Sequence, residues 1–206
     1  MKNNSVIVGY LKKLSPVFEK LIERAFKENV LILSDKKFFR IVGKIFPLIK
    51  NDKKTVLWTF YSTICGQIIV VGWPEIKYNV WNGELGLIEI GFSHEIGHVL
   101  SQRKRPFCHN HPSLSFSIQC EYREILAYYL GLQILAEIRR ELHCTEQPFF
   151  KGKRMTYLEI LHHFNFSHRS IDRAKKCRGI KICQLKKCPK EKEIKILASK
   201  IERCRI

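Results

Sequence analysis

Residues 92 to 100 read F-S-H-E-I-G-H-V-L, and two histidines four positions apart in an apolar run constrain the fold more than any other stretch. On a helix, positions i and i+4 share one face, so His94 and His98 stand side by side and Glu95 lies one step round. Leu87, Ile88, Gly91, Phe92, Ile96, Val99 and Leu100 recur at mostly helical intervals, which predicts a helix from about Glu84 to Leu100 with "SQRKRPF" as its polar exit. Two adjacent neutral imidazoles suit a zinc ion, and Glu95 stands where a carboxylate reaches water on that ion without ligating it. Eight histidines in 206 residues make a chance H-E-x-x-H uncommon. One helix cannot complete such a site. A catalytic zinc takes three protein ligands and keeps a fourth position open, so a second element must bring a third donor against the first.

The helix predicted from Ile118 to about Leu142 offers Glu121 and Glu124, early in a stretch whose apolar side carries Ile125, Ala127, Leu130, Leu132, Ile134, Leu135 and Ile138. Carboxylates directed into a core are costly unless paired or metal-bound. The same residues also suit the solvated, positive end of a helix. The loop expected between these helices, residues 101 to 117, contributes His109 and His111, either as donors or as solvated loop residues.

The rest of the body mixes short elements. Val6, Leu11, Leu14, Val17, Leu21, Ile22 and Phe26 predict one amphipathic helix over residues 5 to about 28, and Ser34 with Asp35 offers an N-cap for a second helix ending near Pro47. The β-branched and aromatic run "KTVLWTFYSTICGQIIVVGWP" reads as a pair of strands, and "NVWNGELG" as a turn leading to a helix start around Asn82. Pro148 reads as the start of a linker. The fold class expected is α+β: a mostly helical domain with a small β-sheet over residues 1–148, followed by a small helical tail over residues 149–206.

Charge separates the two parts. Of the formal net charge of +18, the stretch from Lys151 to Ile206 carries +12, with 17 Lys and Arg against 5 Asp and Glu. Such a balance favours polyanions as partners. The longest apolar runs are too short or too polar to span a bilayer, so no membrane partner is expected, and the amino-terminal segment lacks the pattern of a secretory signal. A cytoplasmic location and reduced thiols follow as expectations. The eight cysteines form no C-x-x-C pair, and those of the tail, Cys177, Cys183, Cys188 and Cys204, read as isolated thiols.

"FSHEIGHVL", followed 26 residues after His98 by "EILAYYLGLQIL", resembles the ImmA/IrrE type of zinc metallopeptidase, with its H-E-(I/L)-G-H helix and later E-x-x-A-x-x-F-A-x-x-L-L helix. The likeness spans roughly residues 80 to 136. It implies a zincin-like domain in which His94, His98 and Glu124 hold Zn²⁺ and Glu95 is the general base, with Ala127 matching the motif alanine. Leu130-Gly131 replaces Phe-Ala, and "IGFSHE" replaces the usual F-x-x-A-H-E lead-in, which leaves Glu121 as a substitute third ligand. The chemistry implied is endopeptidase hydrolysis, with Glu95 passing a proton from water to the leaving amine and an oxyanion donor to be found among His109, His111, Tyr128 and Tyr129. If His109 or His111 were the third ligand, the site would instead resemble SprT-like proteases, which act on DNA-bound proteins.

In the tail, "TYLEILHHFNFSHRSIDRAKKCRGIK" divides into a short helix, a turn at "NFS" and a second helix from His168, with Ser167 as N-cap. It looks like the recognition segment of helix-turn-helix modules, which implies DNA contacts from Arg169, Arg173, Lys175 and Lys176. A solvated amphipathic hairpin fits the same residues. Together these readings predict a cytoplasmic zinc metalloendopeptidase whose protein substrate is a DNA-bound regulator such as a repressor. The alternative class is a DNA-binding regulator with a structural or sensory metal site.

Overall fold

A computed structural model describes residues 5–38, 40, 60–62, 68–104, 116–144, 146–157 and 159–160; at positions 5, 60–62, 73, 102–104 and 116–125 it describes the backbone alone. Of the predicted helix-turn-helix only Thr156, Tyr157, Glu159 and Ile160 are described; its turn, its second helix with Arg169, Arg173, Lys175 and Lys176, the tail cysteines, His109 and His111 lie outside the described residues.

The chain begins with two helices, α1 (Ser5–Lys12) and α2 (Pro16–Lys27), where periodicity alone predicted one. The break is local chemistry. Ser15 is extended (φ −163°, ψ 159°), its hydroxyl accepts the Phe18 N–H at 3.0 Å, and Pro16 occupies the first turn, where its missing N–H costs nothing. α2 buries Val17, Phe18, Leu21, Ile22 and Ala25, and ends before Asn29 in the left-handed region (φ 53°).

Strand β1 (Leu31–Ser34) follows, then a helical segment at 35–38 whose Lys37 N–H is accepted by the Ser34 hydroxyl at 3.2 Å, the capping expected at that point. β2 (Phe60–Ser62) and β3 (Ile68–Val71) are the antiparallel pair read from the β-branched run. β1 joins β3 in parallel, Leu31 opposite Ile68 and Ser34 opposite Val71, so the sheet order is β1-β3-β2. Ile32, Ile69, Val70 and Val71 are fully buried.

Helix α3 (Trp73–Trp81) was not foreseen, although Pro74 in its first turn is a helix-start signal. α4 (Leu85–Lys104) carries the two histidines and runs four residues beyond the predicted end, and α5 (Phe116–Glu141) matches the second long helix. α4 and α5 pack most extensively of all the elements, and α4 also touches α2, α3, β2 and β4, the last being Phe149–Phe150. This central position explains why α4 is buried almost all round rather than along one stripe.

Pro148 is no linker. It is buried against Gly86, and residues 149–154 form a hairpin of β4 and β5 (Lys153–Arg154). Phe150, Tyr157 and Ile160 then join the same hydrophobic cluster as Phe18, Ile69, Phe92 and Leu135. The described residues of 149–160, grouped with the tail on charge, are therefore anchored to the main body through Phe150, Tyr157 and Ile160, while 151–154 stay exposed. The observed class is α+β, mostly helical with a small sheet. Among the described residues no helix is long and apolar enough to cross a membrane.

Candidate metal centre

Two glycines let α4 and α5 approach to backbone contact. A Cβ on Gly97 would overlap the carbonyl of Ala127, and one on Gly131 would lie 2.6 Å from the carbonyl oxygen of Ser93. These contacts pair 97 with 127 and 93 with 131, so the helices run antiparallel. Stepping one turn back along α5 from Ala127 reaches Glu124, level with the α4 turn from His98 to Ser101. At 3.6 residues per turn, Glu124 lies about 60° round the helix from Ala127 and about 20° from Gly131, whereas Glu121 lies about 120° from Ala127. Glu124 thus shares the α5 face that meets α4, and Glu121 stands at its margin. The side chains of both lie outside the described residues.

On α4, Ser93, His94, Glu95 and Ser101 are buried, as is Glu89 one and a half turns upstream. Buried polar groups need partners. Ser93 and Ser101 donate to the carbonyls of Ile90 and His98, each at 2.9 Å. His94 and His98 turn towards each other, with their Nε2 atoms 3.0 Å apart and ring centroids at 4.5 Å, nearly edge to face. Two imidazole nitrogens on one tetrahedral zinc, each at about 2.0–2.1 Å, stand about 3.3 Å apart. The pair is therefore within a few tenths of an ångström of the zinc bite, and the residues fit such an ion. Glu95 is buried beside them. Among the described residues no group of three His, Cys, Asp or Glu converges, and the third donor expected is the carboxylate at 124.

Tyr128, one of the four oxyanion candidates, has its ring against His94, with centroids 3.9 Å apart and planes at 38°. It sits one residue beyond Ala127, so the Gly97–Ala127 crossing also delivers this ring to the histidine. Tyr128 and Tyr129 are both partly buried against the hydrophobic core.

A polar network missed in the sequence anchors the upstream half of α4. Ser15 donates to Glu89 Oε1 at 2.9 Å while capping α2, and Tyr157 donates to Glu89 Oε2 at 2.5 Å. Arg139 of α5 donates to the Tyr157 hydroxyl at 3.4 Å, stacks over its ring, and also donates to the carbonyls of Cys144 and Glu146. Burial pushes the Glu89 carboxyl above its ordinary range, against the lowering effect of the Tyr157 and Ser15 hydrogen bonds and the Arg139 charge. Burial, reinforced by Glu89, drives the Tyr157 phenol well above its usual value. The signal was an acidic residue inside "LGLIEIGF", which the apolar pattern does not tolerate without partners.

Compared with known proteins, the chain finds no counterpart: no family model, no curated protein and no solved structure matches it.

Proposed function

We propose that the protein is a zinc-dependent endopeptidase of the ImmA/IrrE kind, with a zincin-like domain in which His94, His98 and Glu124 hold the metal. The observation that carries this reading is the convergence of the two Nε2 atoms at 3.0 Å on a buried helix, facing the α5 surface to which Glu124 belongs. A core helix without such a role would not be expected to concentrate His94, Glu95 and His98 at its closest crossing, because burying polar and ionisable groups is costly.

Zinc, when bound, supplies the Lewis acidity that acidifies water and polarises a peptide carbonyl. The protein's own residues do the rest. Glu95 accepts the proton from the attacking water and returns it to the leaving amine, which a carboxylate beside but outside the ligand set can do. Tyr128 holds the His94 imidazole by its ring face. Burial of the cluster keeps bulk water from competing with these contacts.

The strongly basic end of the chain directs the enzyme to nucleic acid, so the substrate class proposed is a DNA-bound regulator. Arg169, Arg173, Lys175 and Lys176 are the contacts proposed for duplex DNA through a helix-turn-helix.

Metal content measured by mass spectrometry tests the site directly. The expected result is near one zinc per chain, lost in His94→Ala and Glu124→Ala and kept in Glu121→Ala and His111→Ala. Loss in His111→Ala with retention in Glu124→Ala would move the site to the SprT-like arrangement. A folded chain that takes up no zinc would overturn the reading and leave a DNA-binding regulator as the function to pursue.

A further inference from the structure

The surface around β4 and β5 carries exposed aromatic and cationic side chains outside the metal site, among them Lys151, whose Nζ lies 5.5 Å from the ring centroid of the buried Phe150. Trp81 is 83% exposed and Tyr78, one turn earlier on α3, is 62% exposed. Tryptophan is highly buried on average, so an indole left this open is informative. The turn after Trp81 abuts the hairpin: a Cβ on Gly83 would lie 3.8 Å from the Gly152 nitrogen. The hairpin reads F-F-K-G-K-R from 149 to 154, with three cations and no acid.

Its geometry is set in advance. Lys151 (φ 50°) and Gly152 (φ 72°) make the two-residue connection with both φ values positive, which matches strand twist. Phe150, next to the turn, is buried, while Phe149 on the opposite face is 41% exposed. Across the strands from Phe149, the Arg154 guanidinium lies 4.9 Å above its ring and is held by Glu146 at 2.7 Å. An arginine–phenylalanine pair, an open indole and an open phenol thus share one region with Lys151 and Lys153.

We propose that this surface, formed by Tyr78, Trp81, Phe149, Arg154, Lys151 and Lys153, binds single-stranded nucleic acid. Exposed aromatic planes stack on unpaired bases, and cations beside them meet the phosphates. Duplex DNA presents its bases edge-on and offers no free face to Trp81. An acidic protein would satisfy the cations and leave three aromatic faces without a counterpart. The net charge of +18 favours a polyanion over a basic or neutral partner. This inference does not depend on the metal centre, and it adds a second nucleic-acid contact to the duplex binding proposed for Arg169, Arg173, Lys175 and Lys176.

Tryptophan emission separates the two contacts. In the full chain carrying Trp58→Phe and Trp73→Phe, Trp81 is the sole indole, and oligo(dT) is titrated against heparin and a duplex. The expected result is quenching of Trp81 by oligo(dT) and none by heparin. By anisotropy, Trp81→Ala and Phe149→Ala each weaken oligo(dT) binding about tenfold and leave duplex affinity unchanged. Oligo(dT) binding without quenching would overturn the proposal, because the basic tail alone would then account for it. Equal quenching by heparin, or equal losses on duplex and single strand, would also overturn it. Neither the quenching nor the anisotropy involves zinc, so failure here says nothing against the peptidase.

Discussion

Gly97 and Ala127 meet without an intervening side chain: the position a Cβ would take on Gly97 is filled by the Ala127 carbonyl. That contact sets the register of α4 against α5, and through it the levels of His98, Tyr128 and Glu124. Gly97→Ala must push backbone apart rather than a flexible side chain. It is expected to cost about 3 kcal/mol or more, at or above the upper end of ordinary overpacking, and to lower zinc uptake in the molecules that remain folded. Urea denaturation with metal analysis of the folded fraction checks both. Unchanged stability and unchanged zinc would show that the helices do not touch here.

The proposed mechanism gives Glu95 proton transfer and not metal binding. Glu95→Gln is therefore expected to retain stoichiometric zinc and lose at least about 100-fold in peptide cleavage. Metal content and turnover measured on the same preparation separate the two roles. Loss of zinc in this variant would make Glu95 a ligand.

The stack of Tyr128 on His94 predicts a graded response. Tyr128→Phe keeps the ring and should keep zinc affinity, whereas Tyr128→Ala removes it and should weaken zinc binding about 10- to 100-fold, the scale usual for groups that orient a ligand. Competition against a chelator of known affinity measures this in the absence of any substrate. A loss in Tyr128→Phe equal to that in Tyr128→Ala would transfer the role from the ring to the hydroxyl.

Glu89 makes stability depend on pH in a definite direction. Its folded-state pKa is raised from 4.5 by burial, so the folded protein holds the proton more tightly than the unfolded chain. This contribution is fully present below about pH 4.5 and is lost as pH rises through the raised folded value. Glu89→Gln cannot ionise. The Tm of the native protein relative to Glu89→Gln should therefore be highest at the acid end and fall as pH increases through that window, then level off. A flat difference between pH 4 and 8 would contradict the burial of the carboxyl.

Ser15 joins a helix cap to that same carboxyl, accepting from Phe18 and donating to Glu89. Ser15→Ala is expected to cost about 2 kcal/mol or more, from the lost cap and the lost bond to a buried acid. Ser15→Thr, which keeps both functions, should recover most of it in thermal unfolding.

Much of this was legible along the chain because it is local. The periodicity of Ile88, Phe92, Ile96 and Val99 marks α4, that of Ala127, Leu132, Leu135 and Ile138 marks α5, and the β-branched and aromatic run through Ile69 and Val71 marks the strands. His94 and His98 had to be neighbours once that stretch was a helix. The break at Ser15-Pro16 and the start of α3 at Trp73-Pro74 also lay within reach, since a capping serine or a first-turn proline is a local signal; apolar spacing outweighed the first, and the strand ending masked the second. Pro148 misled because a proline after a helix reads as an exit, and nothing nearby says that it fills the space above Gly86.

Other relationships had no local signature. Glu89 meets Tyr157 across 68 positions and Ser15 across 74, and such partners are chosen by how helices stack rather than by any spacing. The sequence by itself determined which helix carries the two imidazoles and the neighbouring carboxylate, because helical geometry follows from short-range sterics and periodic burial. Only the tertiary structure decided that α5 crosses at Gly97, that Tyr128 covers His94, and that Phe150, Tyr157 and Ile160 join the core, because each depends on close packing between segments that are distant in the chain.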